Sequence, residues 1–245
     1  MFTAFANQQA GIIEDSLYLN LDPAYQLGKI TTPSTAGNIF SDLSPFANQF
    51  RQASGSITLV AAEPAYALFN TANTSGSQLA PTSTTITGAS FWQGTSFTIQ
   101  AWTYWNNVSA RDYCLFSQGV AGANTGLHIQ ARSSKLQFAL YLDDLTSVAN
   151  LPVNTWINIA MVYNKRAGFR KEIYFNGVLD TQANGSNYTG TAQNNFTIGT
   201  NVWVAAGGGS AWDGRLGQVF IYGRPLTASD IVQNYNATKQ RYNKL

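Results

Sequence analysis

Twelve acidic residues are where bond-breaking chemistry would have to start in this 245-residue chain. Glycosidic hydrolysis generally takes two carboxyl groups, about 5–5.5 Å apart for retention of configuration or about 6.5–9.5 Å apart for inversion. The three glutamates, Glu14, Glu63 and Glu172, lie far apart in sequence, and no two acids stand two or four residues apart. Glu14-Asp15 and Asp143-Asp144 are adjacent pairs, so on a strand their side chains would point to opposite faces. A nucleophile relay fares no better. His128 is the single histidine, no G-x-S-x-G turn lies near it, and it reads as a surface or satisfied sheet residue. One histidine and one cysteine cannot build a His-based metal cluster or an internal disulfide. Cys114, set between Tyr113 and Leu115-Phe116, has the apolar neighbours of a buried, inert thiol. Gly207-Gly208-Gly209 lacks the Lys-Ser/Thr that completes a phosphate loop. The expectation is a non-enzymatic chain with no catalytic residue, no metal and no cofactor.

Neutral polarity is what the chain has in quantity. Asn, Gln, Ser and Thr number 81, about a third of the residues, while charged residues make up 11% with a net charge of +2. That balance is too even for a nucleic-acid or anionic-membrane surface that binds through its field. Amides and hydroxyls suit neutral ligands such as sugars, whose C–H faces stack on aromatic rings while their hydroxyls take hydrogen bonds. Three places combine these groups. The loop Asn201–Asp213 carries Trp203, Trp212 and Asp213 around a glycine run and is the leading ligand-contact candidate; alternatively both tryptophans cap the core. Trp105-Asn106-Asn107, with Asp112 nearby, repeats the combination at a strand end. Gln100, Trp102, Tyr104, Gln130, Gln137, Tyr141 and Asn158 read as the polar face of alternating strands. The competing reading covers that face with residues 1–56 or with a neighbouring subunit.

Strands must position these residues. Phe97–Trp105 begins with strict alternation; Leu127, Ile129 and Ala131 alternate with His128, Gln130 and Arg132. Leu136, Phe138, Leu140 and Leu142 form another period-two set, and so do Ile157, Ile159, Met161 and Tyr163. Asn176-Gly177 between Ile173-Tyr174-Phe175 and Val178-Leu179-Asp180 predicts a two-residue type I′ hairpin, because both positions tolerate positive φ. Further strands are expected at 196–199 and 214–222. Thr227 with Asp230 three residues on predicts the start of one C-terminal helix that places Ile231, Tyr235 and Tyr242 on a shared face. Many short strands and one helix argue for an all-β, antiparallel sandwich. Residues 1–56 read as irregular, and 57–245 as the sandwich, with one domain overall. Met1–Gly11 has neither the basic nor the apolar region of a signal peptide, and the apolar stretch Ile57–Phe69 is broken by Glu63-Pro64.

An ordered series now resembles a known family. It runs from Phe97-Thr98-Ile99-Gln100-Ala101-Trp102 through Trp156–Tyr163, Ile173–Val178 and Phe196-Thr197-Ile198-Gly199 to Gly214–Thr227. The series is similar to the laminin-G-like branch of the concanavalin A-like lectin/glucanase superfamily, over roughly residues 65–242. Leu19-Asn20-Leu21-Asp22-Pro23, Asp42-Leu43-Ser44 and the closing stretch from Ile231 to Tyr242 further resemble members encoded by tailed phages. The resemblance implies a jelly-roll sandwich and a non-enzymatic virion structural protein, a capsid decoration or a tail or fibre component. Other virion proteins, and host-surface polysaccharide, would be its partners, without nucleic acid or membrane. It would be a homo-oligomer in a particle assembled in the host cytoplasm, with residues 1–56 packed on or anchoring the domain. A cellular carbohydrate-binding lectin module is the alternative, and a glycoside hydrolase a weaker one. Hydrolases of this superfamily carry acids two and four residues apart on one strand face, a pattern this chain lacks. Relatives hold calcium near such loops, and Asp112, Asp143, Asp144 and Asp213 could supply oxygens, but the ligand positions do not match one by one.

Overall fold

The computed structural model describes residues 11–26, 39–70, 76–82, 89–92, 95–190, 196–201 and 210–243. In chain order the strands begin with β1 (Leu17–Leu21), β2 (Ile39–Ser41), β3 (Gln49–Ser54), β4 (Ser56–Val60), β5 (Tyr66–Asn70) and β6 (Gln78–Pro81). Then follow β7 (Phe97–Trp105), β8 (Tyr113–Gly119), β9 (Gly126–Arg132), β10 (Lys135–Ala139) and β11 (Asp144–Asn150). The remaining strands are β12 (Trp156–Asn164), β13 (Arg170–Phe175), β14 (Val178–Asn184), β15 (Thr197–Ile198) and β16 (Gly214–Tyr222). Among the described residues, the four-residue helices α1 (Pro23–Gln26) and α2 (Ala89–Trp92) precede a long helix, α3 (Ala228–Tyr242).

These strands make two antiparallel sheets. The first runs β14-β13-β12-β7-β16-β5-β4, and the second runs β11-β10-β9-β8-β15-β6-β3-β2. β16 serves two partners along one edge: Gly214–Leu216 pair with β5, and Val219–Tyr222 pair with β1. The register of β16 on β7 shifts between Leu216 and Val219, the bulge that lets the strand change partner. The alternation read from the sequence then sorts side chains as expected. Ile157, Ile159, Met161 and Tyr163 of β12 join Ile99, Leu216, Val219 and Ile221 in the core, against Leu127, Ile129, Leu136 and Phe138 of the second sheet. The Asn176-Gly177 hairpin forms as predicted, with Phe175 opposite Val178 and φ of 50° and 84° at the two turn residues.

Two expectations are corrected. The segment before Ile57 is not irregular throughout: β1 joins the first sheet on β16, and β2 and β3 extend the second. These strands are three to six residues long, too short to build a periodic signal. The second correction is β10, which ends at Ala139 rather than running to Leu142. Tyr141 and Leu142 turn the chain at φ of 58° and 62°, and Leu142 is 81% exposed. Neither residue is a Gly or Asn, so the turn left no compositional mark, and the β11 strand beyond it was missed.

Helix α3 closes the outer face of the first sheet. Thr227 accepts a bond from the Asp230 N–H while the Asp230 carboxylate accepts from the Thr227 N–H, the capping box that the sequence announced. Ile231, Asn234, Thr238 and Tyr242 are its buried positions, spaced three and four apart along one stripe.

Candidate functional site

Under α3 the outer sheet face is sealed. Gln100 donates to Asn158 Oδ1 at 2.8 Å and to the Ile231 carbonyl, and accepts from Asn234 Nδ2 at 2.9 Å. Asn234 also donates to the Tyr222 hydroxyl, and Trp102 Nε1 donates to Thr238 Oγ1. The Trp102 ring stacks on Tyr242 at 4.5 Å and on Tyr235 at 5.7 Å. Gln100, Trp102 and Asn158, expected on a ligand-facing surface, are therefore buried and hydrogen-bonded to or beneath the helix. Buried amides in a fully satisfied network specify how a helix docks and leave nothing for a sugar. What covers them is α3, not residues 1–56 or a subunit. The sequence could not show this, because the bonds of Asn234 to Gln100 and of Trp102 to Thr238 join residues 134 and 136 apart in the chain.

Beyond the helix the same face is open, and one cross-strand row crosses it. Thr58 lies opposite Leu68, Leu68 opposite Arg215, Arg215 opposite Tyr104, and Tyr104 opposite Trp156. Thr58, Leu68, Arg215 and Tyr104 are all half-buried, as is Tyr66 beside them, so each keeps an accessible part. The Arg215 guanidinium carbon sits 4.2 Å from the centre of the Tyr104 ring and 5.0 Å from that of Tyr66. Trp156, 7% exposed, packs between Tyr104 (5.7 Å), Tyr66 (6.1 Å) and Tyr242 (5.0 Å). Period two continues the patch past the strand ends. Trp105 and Trp212 point inward, so Asn106 and Asp213 follow Tyr104 and Arg215 on the outer side. Asn106 Nδ2 donates to Asp213 Oδ1 at 2.8 Å, and its N–H donates to the Asp213 carbonyl. The result is a shelf of aromatic faces, one guanidinium and an amide–carboxylate pair.

Of the predicted site residues, Tyr104, Asn106 and Asp213 thus come together. Tyr66, Trp156 and Arg215 were missed, although the alternation of Gly214–Tyr222 and Trp156–Tyr163 already placed the last two on the outer face. Other candidates are corrected. Trp212 is fully buried against Phe69 and Trp105, and its indole N–H has no partner among the described residues. Trp105 is buried too, donating to Thr103 Oγ1. Asn107 accepts from the Ser109 and Ala110 amides in a turn. Gln130 donates to Gln137 at 2.9 Å on the outer face of the second sheet, and both are buried. Tyr141 belongs to the β10–β11 turn and meets the His128 ring. Trp203 lies outside the described residues.

The acids are spread as structural partners. Asp22 takes both forks of Arg241 at 2.8 Å, Asp143 holds the buried Lys171 at 2.7 Å, Asp112 pairs with Arg132, and Glu172 accepts from Tyr174. Asp180 accepts from the Val148 and Ala149 amides, tying the edge strands β14 and β11. Among the described residues, no three His, Cys, Asp or Glu side chains gather as a metal cluster. Burial pushes the Cys114 thiol far up, as expected for an inert cysteine, and burial lowers His128 below its ordinary value. Two clefts open elsewhere. One of about 430 Å³ lies along Ile12, Leu17, Asn20 and Asp42, and one of about 410 Å³ along Ser96, Lys165 and Arg224. Neither contains a predicted site residue, and Asp42 and Arg224 are already paired within the fold. No described helix is long and apolar enough to cross a membrane.

Two antiparallel sheets, a closing helix and a ring-bearing outer shelf define a lectin-like jelly-roll sandwich. Residues 72–232 match the laminin-G-like family model of the concanavalin A-like lectin/glucanases superfamily, and the chain belongs to that superfamily. Comparison with curated proteins gives no significant match. Among solved structures, the chain is similar to the binding domain of botulinum neurotoxin DC, solved in complex with rat synaptotagmin II, at a TM-score of 0.65 and 18% identity. That superposition covers 92% of this chain and 52% of the toxin domain, so the chain spans about half its length. It is likewise similar to domain 4 of AbnA, an extracellular GH43 arabinanase from Geobacillus stearothermophilus solved with arabinotriose. There the TM-score is 0.62 at 14% identity, covering 91% of this chain and all of that domain. At these identities the likeness is one of fold.

Proposed function

We propose that this chain is a non-catalytic, glycan-binding module whose ligand lies on the outer-face row Leu68–Arg215–Tyr104–Trp156, beside Tyr66 and the Asn106–Asp213 pair. The observation that carries the reading is the row itself: half-buried rings next to unspent hydrogen-bonding groups, on the part of the sheet that α3 leaves open. Rings with fixed faces stack on sugar C–H patches at little entropic cost. Asp213 Oδ2 and the second Asn106 N–H remain for hydroxyls after the two side chains have bonded each other. The engagement of Asp22, Asp112, Asp143 and Glu172 as partners of cations or a tyrosine within the fold supports binding without turnover. The similarity to a domain solved with arabinotriose supports the same reading. A glycan array probed with the full chain and with Tyr104→Ala tests it: signals that fall about tenfold or more in the variant are expected. Signals that persist undiminished would place the ligand elsewhere.

The setting we propose is the surface of a tailed-phage particle, as a capsid decoration or tail component that meets host polysaccharide. The flanks that resemble phage proteins support it, because they interlock. Asp22 holds Arg241 of α3, Asn20 accepts from Gln218, and Asp42 accepts from Asn20, Ser44 and Asn48. Mass spectrometry of purified particles would find the chain at a fixed copy number. Its absence from particles would leave the cellular lectin module as the reading.

A further inference from the structure

Arg215 has an environment unlike that of the arginines that hold the fold together. Arg132, Arg224 and Arg241 each pair with an aspartate. Arg215 contacts the Tyr104 and Tyr66 rings, one on each neighbouring strand, yet it forms no ion pair with and donates no hydrogen bond to any described residue. A guanidinium carries five N–H donors in a rigid plane and no acceptor. Ring contacts satisfy its face through the quadrupole and leave the donors at its edge unspent. Asp213, two residues earlier on the same side, takes its hydrogen bond from Asn106 and forms no ion pair with Arg215.

We infer that the glycan bound on this shelf presents a carboxylate, as a uronic or sialic acid does, and that Arg215 determines that specificity. The inference rests on the glycan-binding reading above and narrows its substrate class. A carboxylate has two coplanar acceptors that match the guanidinium fork with two parallel bonds, whereas a sugar hydroxyl offers single bonds of weaker, uncharged character. The half-buried position strengthens the case, since rings on both sides displace the water that would screen an exposed pair. Tyr104 and Tyr66 also hold the guanidinium before ligand arrives, so less side-chain freedom is lost on binding. A lysine here would keep the charge but lose both the fork and the stacking.

The test uses the full chain on an array of uronate- and sialate-bearing glycans printed beside the same glycans with each carboxyl reduced to the alcohol. The expected result is binding concentrated on the acidic forms and about tenfold weaker on the reduced ones. Arg215→Gln should bring acidic and reduced forms to the same low level, and Arg215→Lys should recover only part of the difference. Thermal midpoints of both variants should fall only slightly, since Arg215 holds no other described residue by an ion pair and gives up only its two ring contacts. Equal binding of acidic and reduced forms, or an acid preference that survives in Arg215→Gln, would overturn the inference while leaving glycan binding intact. Failure of both forms to bind would instead contradict the glycan-binding reading on which it rests.

Discussion

Asp42 and Arg215 show the two uses to which this chain puts an isolated charge. Asp42 is 8% exposed and accepts from five donors: the Asn20, Ser44 and Asn48 amides, the Ser44 hydroxyl and Asn48 Nδ2. The Ser44 hydroxyl and Asn48 Nδ2 also reach the Tyr18 carbonyl, but the three backbone amides would lose their acceptor, at about 1–3 kcal/mol apiece where no water can enter. Asp42→Ala should therefore cost about 3 kcal/mol or more in urea unfolding at neutral pH; a loss under about 1 kcal/mol would show that water replaces the carboxylate. Arg215 meets two tyrosine rings but no acid among the described residues. In sequence neither residue announces what it will meet. Only partners distinguish them, and partners come from strands and turns distant in the chain. The same limit explains Trp212, which was read as a ligand contact beside Asp213. Alternation assigns the two to opposite faces, but the glycine run before them hid where the strand begins.

Among the elements, α3 was the most legible and yet the most misread in effect. Its capping box and its apolar stripe were visible, while its polar docking residues, Asn234 and Thr238, were not recognised as a match for Gln100 and Trp102. Burial works to raise the Asp230 carboxyl, but its bonds with Thr227 and the Arg224 guanidinium outweigh that and hold it below its ordinary value. A carboxyl with a folded value below the unfolded one adds stability above the unfolded value and loses it as pH falls through the folded value. The cap should therefore hold at neutral pH and fail in acid. Asp230→Asn should lower the melting point at pH 7, by about 1 kcal/mol of stability, and make little difference near pH 2. An equal deficit at both values would contradict this. Gly217 tests the other end of the helix. A Cβ there would stand 2.6 Å from the Tyr242 ring and 2.8 Å from Trp102 Cβ, so Gly217→Ala should prise the last turn away. The expected sign is faster hydrogen exchange in residues 238–242; unchanged protection there would refute the close fit.

At the scale of the molecule, contacts remote in sequence tie the lead-in to the closing helix, such as Asp22 with Arg241. Lys171 of the first sheet reaches Asp143 at the turn into β11 of the second, linking the two layers at one end. Removing residues 1–56 strips β1 from β16 and β2–β3 from β6. The truncated chain should lose its cooperative melting transition by circular dichroism, and retention of a wild-type melt would show the sandwich to be self-sufficient from Ile57. Fold class was legible because period two, the Asn-Gly hairpin and the capping box are local signals. The position of the open shelf was not, because it depends on which part of a sheet face a distant helix covers. The most direct measurement of the account is a two-dimensional ¹H–¹⁵N spectrum of the labelled full chain, titrated with the strongest-binding glycan of the array. Binding on the shelf predicts shifts of the Trp156 indole, the Arg215 Nε–H and the Asn106 side-chain amide. Shifts confined to the second sheet around Gln130 and Gln137, or no shift with any array glycan, would contradict it.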